Sequence, residues 1–383
     1  MPDAMDTFRA RRLGYAGGGL DETIHPDDEM LAVVADRLGV DSRARMSYLT
    51  MGADLAQVVE QLAYARFGAD LTSVRVLEFA SGYGRNVRHL VHVFPPQNIT
   101  VSDIQEPAVA VCVAQFGVRG RSSVHDPAEL AWEDRFDLVV VPSLFSHLPD
   151  ASFGPWLRAL AELLTEDGLL AFSVHGDHLQ PPQDRSPDGI SFAPESEIDS
   201  LDRAEYGTSH VSDAYVAGRL AEAVGPVTHV VVRRGFWGHQ DLHLVAREND
   251  AALAAYRHRH GIASSLDVAV LTAEGHLELA GWATDVDDPS VPVQVRVTLD
   301  DVVVAEGPAR VQRDQVAHAC GPAHVDSGYW FLVPNVVRFH ALDAVLLVEA
   351  VAGLKARCLW AGPLGVALTA NRYAEARHGA ATG

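Results

Sequence analysis

A turn of small residues between two hydrophobic segments is the part of the sequence that most clearly indicates a binding or catalytic function. The apolar run Val74–Phe79 is followed by Ala80-Ser81-Gly82-Tyr83-Gly84, and a helix is predicted over Arg85–Phe94. Such a turn allows a ligand to approach the backbone closely, and the helix N-terminus offers free N–H donors. Nineteen residues after Gly84, Asp103 ends the next predicted strand. An acid there can accept hydrogen bonds from both ribose hydroxyls of an adenosine-type cofactor.

Histidines and acids follow several of the later predicted strands. Open α/β sheets bind ligands at the carboxyl ends of their strands, and the ordinary pKa of histidine suits proton transfer. We predict His175 as a general base, oriented by Asp177 or Asp241, while a solvated or structural role remains the alternative for each of these residues. The candidate catalytic residues are His175, Asp177, His147, His210 and His239.

A metal site is the competing interpretation of the same residues. His175, Asp177 and His178 are close enough in sequence to meet on a divalent ion. Mg²⁺ prefers carboxylates and water to imidazole, so we expect no metal. His258 and His260 are two residues apart on a predicted helix and do not converge. The three cysteines, Cys112, Cys320 and Cys358, lack zinc-ligand spacing, which favours buried thiols in a reducing cytoplasm.

Short apolar runs that alternate with amphipathic helices predict the framework for these residues. The runs VRVLEF, FDLVVV and LLAFSV are apolar on both faces, as in a parallel sheet covered by helices on both sides. The predicted fold class is therefore a doubly wound, Rossmann-like α/β domain. The polar segment 176–212 is predicted to be a structureless lid or binding loop that shapes a ligand pocket.

The hydrophobic period changes to two near residue 265. In VPVQVRVTLD, apolar and polar residues alternate, which is typical of a half-buried antiparallel strand. A separate antiparallel β-sandwich is predicted there. The expected organisation is a flexible arm over 1–30, a helical cover over 31–70, the α/β domain over 71–248, a linker helix over 249–264, the β-sandwich over 265–368 and a tail over 369–383.

The turn distinguishes between two cofactor classes. A dinucleotide fingerprint needs a third glycine where this chain has Val87. The remaining pattern, E-x-A-x-G-x-G from Glu78, resembles motif I of class I S-adenosylmethionine-dependent methyltransferases. Ala80 stands where that motif has glycine, and we expect it to be tolerated if its φ is negative.

The resemblance continues over roughly residues 45–248. Asp103 matches the family's ribose-binding acid, and His125-Asp126 matches the acidic position near the adenine. The segments 136–148 and 163–170 resemble the fourth strand with its following loop and the helix–turn–strand element, although the family's P-G-G turn reads Glu-Asp-Gly here. The resemblance implies S-adenosyl-L-methionine as cofactor. The implied binding residues are Glu78, Ala80, Ser81, Gly82, Gly84, Asp103, Ile104, Asp126, Pro142 and Ser143.

Further segments indicate the acceptor. The run from His175 to Asp241 resembles methyltransferases that accompany polysaccharide genes, and Gly281-Trp282-Ala283-x-Asp285 looks like a module appended to glycosyltransferases. O-methylation of a sugar, glycan or related small molecule is the leading hypothesis. N-methylation of an aminosugar or small metabolite, and an inactive glycan-binding or scaffolding protein, are the alternatives. Trp282, Trp330 and Trp360 are expected in the core, with stacking on sugar rings as the alternative.

Composition excludes several partners. The 30 Lys+Arg against 51 Asp+Glu give a formal net charge of −21, so the basic stripe that nucleic acids require is missing. No apolar run approaches the roughly 20 residues of a membrane span, and the start lacks a signal-peptide core. We expect a cytoplasmic protein that binds neither nucleic acid nor membrane, with the β-sandwich as a candidate surface for homo-oligomer formation.

Overall fold

The computed structural model describes residues 19–38, 41–196, 198, 200–353 and 355–370. Within these residues the chain divides into two units. One comprises 21–33 and 51–258, and the other comprises the remainder, chiefly 34–50 and 259–370. The first unit contains the predicted α/β domain and the second contains the predicted β-sandwich. Part of the expected N-terminal arm, residues 1–18, lies outside the described residues, as does the tail from residue 371.

A twisted parallel sheet forms the centre of the first unit. Its parallel part has the order β3-β2-β1-β4-β5, with β1 paired to both β2 and β4. This order reverses direction at β1, so the carboxyl ends of β1 and β4 flank the crevice in which open α/β sheets bind ligands. The strands are β1 Val76–Phe79, β2 Ile99–Asp103, β3 Arg119–Ser122, β4 Phe136–Val141 and β5 Leu164–Gly176.

The segment 176–212 was predicted to be structureless, and this prediction is wrong. It contains β6 Ile190–Ala193 and β7 Thr208–Val211, which pair in antiparallel fashion. β7 also pairs in parallel with the end of β5, where His175 lies opposite His210. Both short strands are only partly buried, so their hydrophobic pattern is weak. The insertion is therefore attached to the sheet at the end of β5.

Two antiparallel strands close the sheet beyond β5. They are β8 Val227–Phe236 and β9 Gln240–Arg247, and β9 pairs with both β5 and β8. The sequence predicts these strands over 228–234 and 241–246, within one or two residues of the bounds observed. β9 places Gln240, Asp241 and His243 at full burial beside β5.

Helices cover both faces of the sheet, as the apolar runs predicted. Val76, Leu138 and Val140 pack in one core with Leu55 and Val59, whereas the alternate residues Leu77, Val139 and Val141 pack in another with Phe153 and Leu157. The helices are Glu29–Leu38, Asp41–Phe67, Val87–Leu90, Glu106–Phe116, Asp150–Glu162, Asp213–Ala223 and Ala251–Ala255. The helix predicted over 85–94 and the linker helix predicted over 249–264 are thus shorter than expected.

Two four-stranded antiparallel sheets form the second unit, with orders β10-β11-β15-β14 and β13-β12-β16-β17. They share one core that includes Leu279, Val297 and Val348. Trp360 is in this core, whereas Trp330 is 53% exposed and donates from Nε1 to Glu278 Oε1 at 2.8 Å. The strands are β10 Ile262–Leu271, β11 Leu277–Asp285, β12 Gln294–Leu299, β13 Val302–Pro308, β14 Val311–Gln312, β15 Asp326–Val333, β16 Val345–Ala352 and β17 Lys355–Pro363. Short helices are Asp314–Cys320, Val336–Phe339 and Leu364–Ala370.

In the part of the chain that the structure describes, no helix is long and apolar enough to cross a membrane.

Candidate functional site

The loop after β1 has the backbone conformation of a ligand cradle. Ala80, Gly82 and Gly84 all have positive φ, at 60°, 55° and 88°. A Cβ on Gly84 would lie 2.5 Å from Phe116 Cε2, so glycine is required there by both space and conformation. Ala80 does not have the negative φ on which its tolerance was expected to depend. It carries a left-handed strain of about 1–2 kcal/mol, which the surrounding loop maintains.

Ala80→Gly is expected to raise the free energy of unfolding by up to about 1 kcal/mol. Glycine removes the left-handed strain at φ 60°, although its greater entropy in the unfolded chain offsets part of this gain. Urea unfolding measures the change. The matched control is Ala56→Gly in the helix Asp41–Phe67, where the same substitution should cost about 1 kcal/mol. A destabilised Ala80→Gly variant would contradict the strain at this turn.

Asp103 ties this loop to the end of β2. Its Oδ2 accepts from the Gly82 amide at 2.7 Å, and its Oδ1 accepts from the Gln105 amide at 2.9 Å. The Ser81 amide also donates to the Ser102 carbonyl at 3.0 Å. Burial raises the pKa of the Asp103 carboxyl, while these backbone donors lower it. The structure therefore places the predicted ribose-binding acid directly beside the predicted cofactor loop.

Glu78 lies beneath the same loop and is completely buried. Asn86 Nδ2 donates to Glu78 Oε1 at 2.8 Å, and Oε2 has no hydrogen-bond partner among the described residues. Burial raises the pKa of Glu78 to about 7, although the bond from Asn86 opposes the shift. A carboxyl group with a free oxygen at this position suits a polar or cationic group of a bound ligand.

The buried Glu78 should make stability depend on pH. Its folded pKa of about 7 exceeds the ordinary value of 4.5, so the folded state binds more protons between these values and stability falls as pH rises from about 4.5 to 7. The expected fall is roughly 3 kcal/mol. Urea unfolding across this window should give a flatter profile for Glu78→Gln than for the wild type. The exposed Glu106→Gln serves as control, and identical profiles for all three proteins would refute the prediction.

The remaining predicted cofactor residues lie at the ends of the neighbouring strands. Ile104 directly follows β2, and Pro142 and Ser143 follow β4. Ser143 has a φ of 63° and its amide donates to Ser173 Oγ at 2.8 Å. Asp126 is exposed, and its Oδ1 accepts from the Ala128 amide at the start of a 3₁₀ turn. These residues follow β2, β3 and β4, so all belong to the same edge of the sheet.

The insertion passes along this edge and contacts the loops after β3 and β4. Tyr206 stacks on His147 with ring centroids 4.4 Å apart, and His147 Nδ1 lies 2.6 Å from the Gly207 carbonyl. Because a carbonyl only accepts, His147 Nδ1 carries a proton. Glu205 Oε2 lies 3.2 Å from His125 Nδ1. The insertion therefore encloses the carboxyl ends of the central strands.

An N-terminal segment also reaches the cofactor loop, which sequence analysis did not predict. Arg88 Nη1 donates to the carbonyls of Asp21 and Thr23 at 2.8 and 3.1 Å, and His25 stacks on Tyr83 at 5.1 Å. This segment was expected to be part of a flexible arm. The segment binds Arg88 through its backbone carbonyls, and no pattern of side chains in the sequence indicates such a contact.

Glu29 connects that N-terminal segment to the insertion. Ser200 Oγ donates to Glu29 Oε2 at 2.6 Å, and Gln105 Nε2 lies 2.8 Å from Ser200 Oγ. Gln105 follows Asp103, the predicted ribose-binding acid, by two residues. The two covering segments thus meet beside the end of β2.

Three of the predicted catalytic histidines form one cluster. The ring centroids of His147 and His175 are 6.1 Å apart, and those of His175 and His210 are 5.3 Å apart. Burial and the neighbouring histidines lower the pKa of His175 to about 3, while burial also lowers the pKa of His210. The imidazoles of His175 and His210 are therefore neutral at physiological pH, as a proton acceptor must be.

The structure places the acids that were expected to orient His175 elsewhere. Asp241 Oδ2 accepts from Arg233 Nη1 at 2.6 Å and lies 3.4 Å from His178 Nδ1, while its Oδ1 accepts from the Arg234 amide. Asp177 begins a 3₁₀ turn after β5, and its carboxylate has no hydrogen bond to His175. Asp241 therefore holds the β8–β9 hairpin.

His239 is exposed in the turn before β9, with Nδ1 3.1 Å from the Trp237 carbonyl. It is one of the histidines that lower the pKa of His175. It is the most exposed member of the predicted catalytic set.

Gln240 is the site residue that sequence reasoning missed. It is 3% exposed, and its side-chain amide contacts Ser143, Ser173 and His175. A buried glutamine at the start of a strand beside three candidate polar residues is recognisable only once β9 is placed next to β5. Among the described residues, no group of three or more His, Cys, Asp or Glu side chains is arranged to hold a metal ion.

Comparisons with known proteins agree with this arrangement. Residues 76–168 match the model of a protein family described as "Methyltransferase domain". A malonyl-[acyl-carrier protein] O-methyltransferase from Bacillus anthracis is 26% identical over 172 residues, 41% of this chain and 63% of that relative. A protein of the same name from Bacillus cytotoxicus is 30% identical over 106 residues, 27% of this chain and 36% of that relative. The chain thus matches less than two thirds of the length of either relative.

Among solved structures, an S-adenosylmethionine-dependent methyltransferase from Clostridium acetobutylicum is similar with a TM-score of 0.38 and 12% identity, over 51% of this chain and 92% of that chain. The segment matched by the family model runs from the first residue of β1 into β5, and so includes the cofactor loop and Asp103. Residues 76–168 are therefore similar to a methyltransferase domain, and they lie in the Rossmann-like sheet. The cofactor of this class of domain is S-adenosylmethionine.

Proposed function

We propose that this chain is a class I methyltransferase that transfers the methyl group of S-adenosylmethionine to a hydroxyl oxygen of a sugar, glycan or related small molecule. The observation that carries the proposal is the position of the histidine cluster. His147 follows β4, His175 lies in β5 and His210 lies in β7. All three are at the edge of the sheet where β1 ends and the candidate cofactor loop begins. Transfer to a hydroxyl requires a proton acceptor at that edge, whereas transfer to a neutral amine does not.

His210 has the properties of that proton acceptor. Its side chain is partly buried and makes no hydrogen bond among the described residues, so its unprotonated ring nitrogen is not engaged by another side chain. His175 is less suited, because a pKa of about 3 makes its neutral form a weak base. The role of general base, which was first predicted for His175, is therefore assigned to His210.

The cofactor fits the residues present. Asp103 would accept hydrogen bonds from the ribose hydroxyls, and the loop from Ala80 to Gly84 would contact the rest of the nucleoside. Glu78 offers a carboxyl oxygen that has no hydrogen-bond partner among the described residues. The bound sulfonium supplies the methyl electrophile. The chain itself positions the acceptor oxygen in line, excludes water with the insertion, and accepts the hydroxyl proton at His210.

A polyhydroxylated acceptor fits the insertion that encloses the site. The segment brings Tyr206, which stacks on His147, and His210 to the histidine cluster, a mixture of aromatic and hydrogen-bonding groups suited to a sugar ring. The names of the two curated relatives also specify methyl transfer to oxygen. The formal net charge of −21 disfavours a polyanionic acceptor.

The test is a mass-shift screen with methyl-labelled cofactor against nucleotide sugars, glycans, aminosugars and small alcohols. We expect a labelled methyl ether on a carbohydrate. Labelled aminosugar nitrogen would replace the proposal with N-methylation. Calorimetric titration with S-adenosylmethionine is run in parallel, and absence of binding would instead support an inactive scaffold.

A further inference from the structure

The side-chain amide of Gln240 connects two parts of the candidate site. Its Oε1 lies 2.6 Å from Ser173 Oγ, and its Nε2 lies 3.1 Å from Ser143 Oγ and 3.4 Å from His175 Nε2. Ser143 belongs to the loop after β4 and has a φ of 63°. His175 lies at the end of β5 in the histidine cluster. A single buried side chain therefore contacts both the strained loop and the cluster.

The directions of the hydrogen bonds in this network follow from the orientation of the Gln240 amide, whose Oε1 lies next to Ser173 and whose Nε2 lies next to His175. The Ser143 amide donates to Ser173 Oγ at 2.8 Å, and the Ser173 hydroxyl donates its own proton to Gln240 Oε1. With Oε1 facing Ser173, the Gln240 amino group faces Ser143 Oγ and His175 Nε2. An amide amino group only donates, so His175 Nε2 accepts and the ring proton resides on Nδ1.

We propose that Gln240 is a positioning residue that fixes His175 in the Nδ1–H form and holds the Ser143 loop, and thereby places His210 against the acceptor. The His175 ring in turn packs against His210 at 5.3 Å. This inference rests on the proposed function for its catalytic consequence only. The tautomer of His175 is a property of the protein without any acceptor.

Imidazole nitrogen NMR on the ¹⁵N-histidine-labelled full chain tests the tautomer directly. In the wild type we expect a non-protonated Nε2 and a protonated Nδ1 for His175, assigned by loss of its signals in His175→Ala. Gln240→Glu places a carboxylate beside Nε2, which favours a proton on that nitrogen and shifts the titration of His175 to higher pH. A protonated Nε2 in the wild type, or no change in Gln240→Glu, would overturn the proposal.

Kinetics test the consequence for the reaction. Gln240→Leu removes all three contacts, and we expect kcat to fall about tenfold to a hundredfold, because small misplacements of reacting groups have effects of this size. The Kd for S-adenosylmethionine should change less than kcat, by under about tenfold, because Gln240 contacts the implied cofactor residue Ser143 but not Asp103 or the loop after β1. Gln312→Leu, an exposed glutamine of the second unit, is the control. Unchanged kcat in Gln240→Leu would refute the positioning role.

The two measurements separate failure of this inference from failure of the proposed function. A wild-type chain that methylates no acceptor but shows the expected His175 tautomer would retain the network and refute only the reaction. If Gln240→Leu does not fold, the isosteric Gln240→Glu provides both readouts. Its His175 titration is read by NMR, and its kcat is compared with that of the wild type.

Discussion

His210→Ala is expected to lower kcat by about 10²–10⁴-fold, the usual contribution of a general base. The imidazole lies in β7 at the end of β5 and makes no side-chain hydrogen bond among the described residues, so its removal breaks no network. The Kd for S-adenosylmethionine should stay within about threefold of the wild type, because the cofactor residues follow β1 and β2. Stopped assays with labelled cofactor give kcat, and calorimetry gives Kd.

The pH profile distinguishes His210 from its neighbours. A base acts in its neutral form, so kcat should rise with pH through the pKa of His210, which burial holds below 6.5, and then remain level. A limb near pH 3 would indicate His175 instead. His318→Ala, in an exposed part of the second unit, controls for loss of a histidine. Full activity of His210→Ala would eliminate it as the base.

The proximity of the candidate cofactor residues could be predicted from sequence because it is local. A buried strand, a turn of small residues and an acid after the next strand lie within 30 residues, and parallel pairing brings them together. The β-sandwich was predicted for the same reason, since alternation such as that in β12 identifies each strand by itself. The sign of φ at Ala80 was not accessible, because the surrounding hydrogen bonds rather than the residue type determine it.

The catalytic half was less predictable because its contacts join distant strands. Asp241 was assigned to His175 on proximity in the sheet, but Arg233 lies across the β8–β9 hairpin and holds the carboxylate. Gln240 contacts residues 65 and 97 positions earlier in the chain. No periodic pattern marks a single buried amide. Only the antiparallel pairing of β9 with β5 brings these groups together.

Asp103→Ala is expected to weaken binding of S-adenosylmethionine by about a hundredfold or more. Two charge-assisted hydrogen bonds to ribose hydroxyls contribute about 1.5–3 kcal/mol each, and part of this is offset because the carboxylate already accepts from Gly82 and Gln105 in the free protein. Its loss also removes the acceptor that holds the Gly82 amide, so the loop after β1 becomes less ordered. Calorimetric titration with the cofactor and its demethylated product measures the change.

Two further variants separate these contributions. Asp103→Asn keeps one oxygen for the loop but loses the charge, so its Kd should lie between those of the wild type and Asp103→Ala. Asp126→Ala removes an exposed carboxylate that caps only a 3₁₀ turn, and it should change the Kd by less than about tenfold. At saturating cofactor, Asp103→Ala should regain most of the wild-type kcat, because His210 and the acceptor site are intact. Wild-type affinity in Asp103→Ala would show that the nucleoside does not bind at the end of β2, and the cofactor site would then have to be sought elsewhere along the sheet.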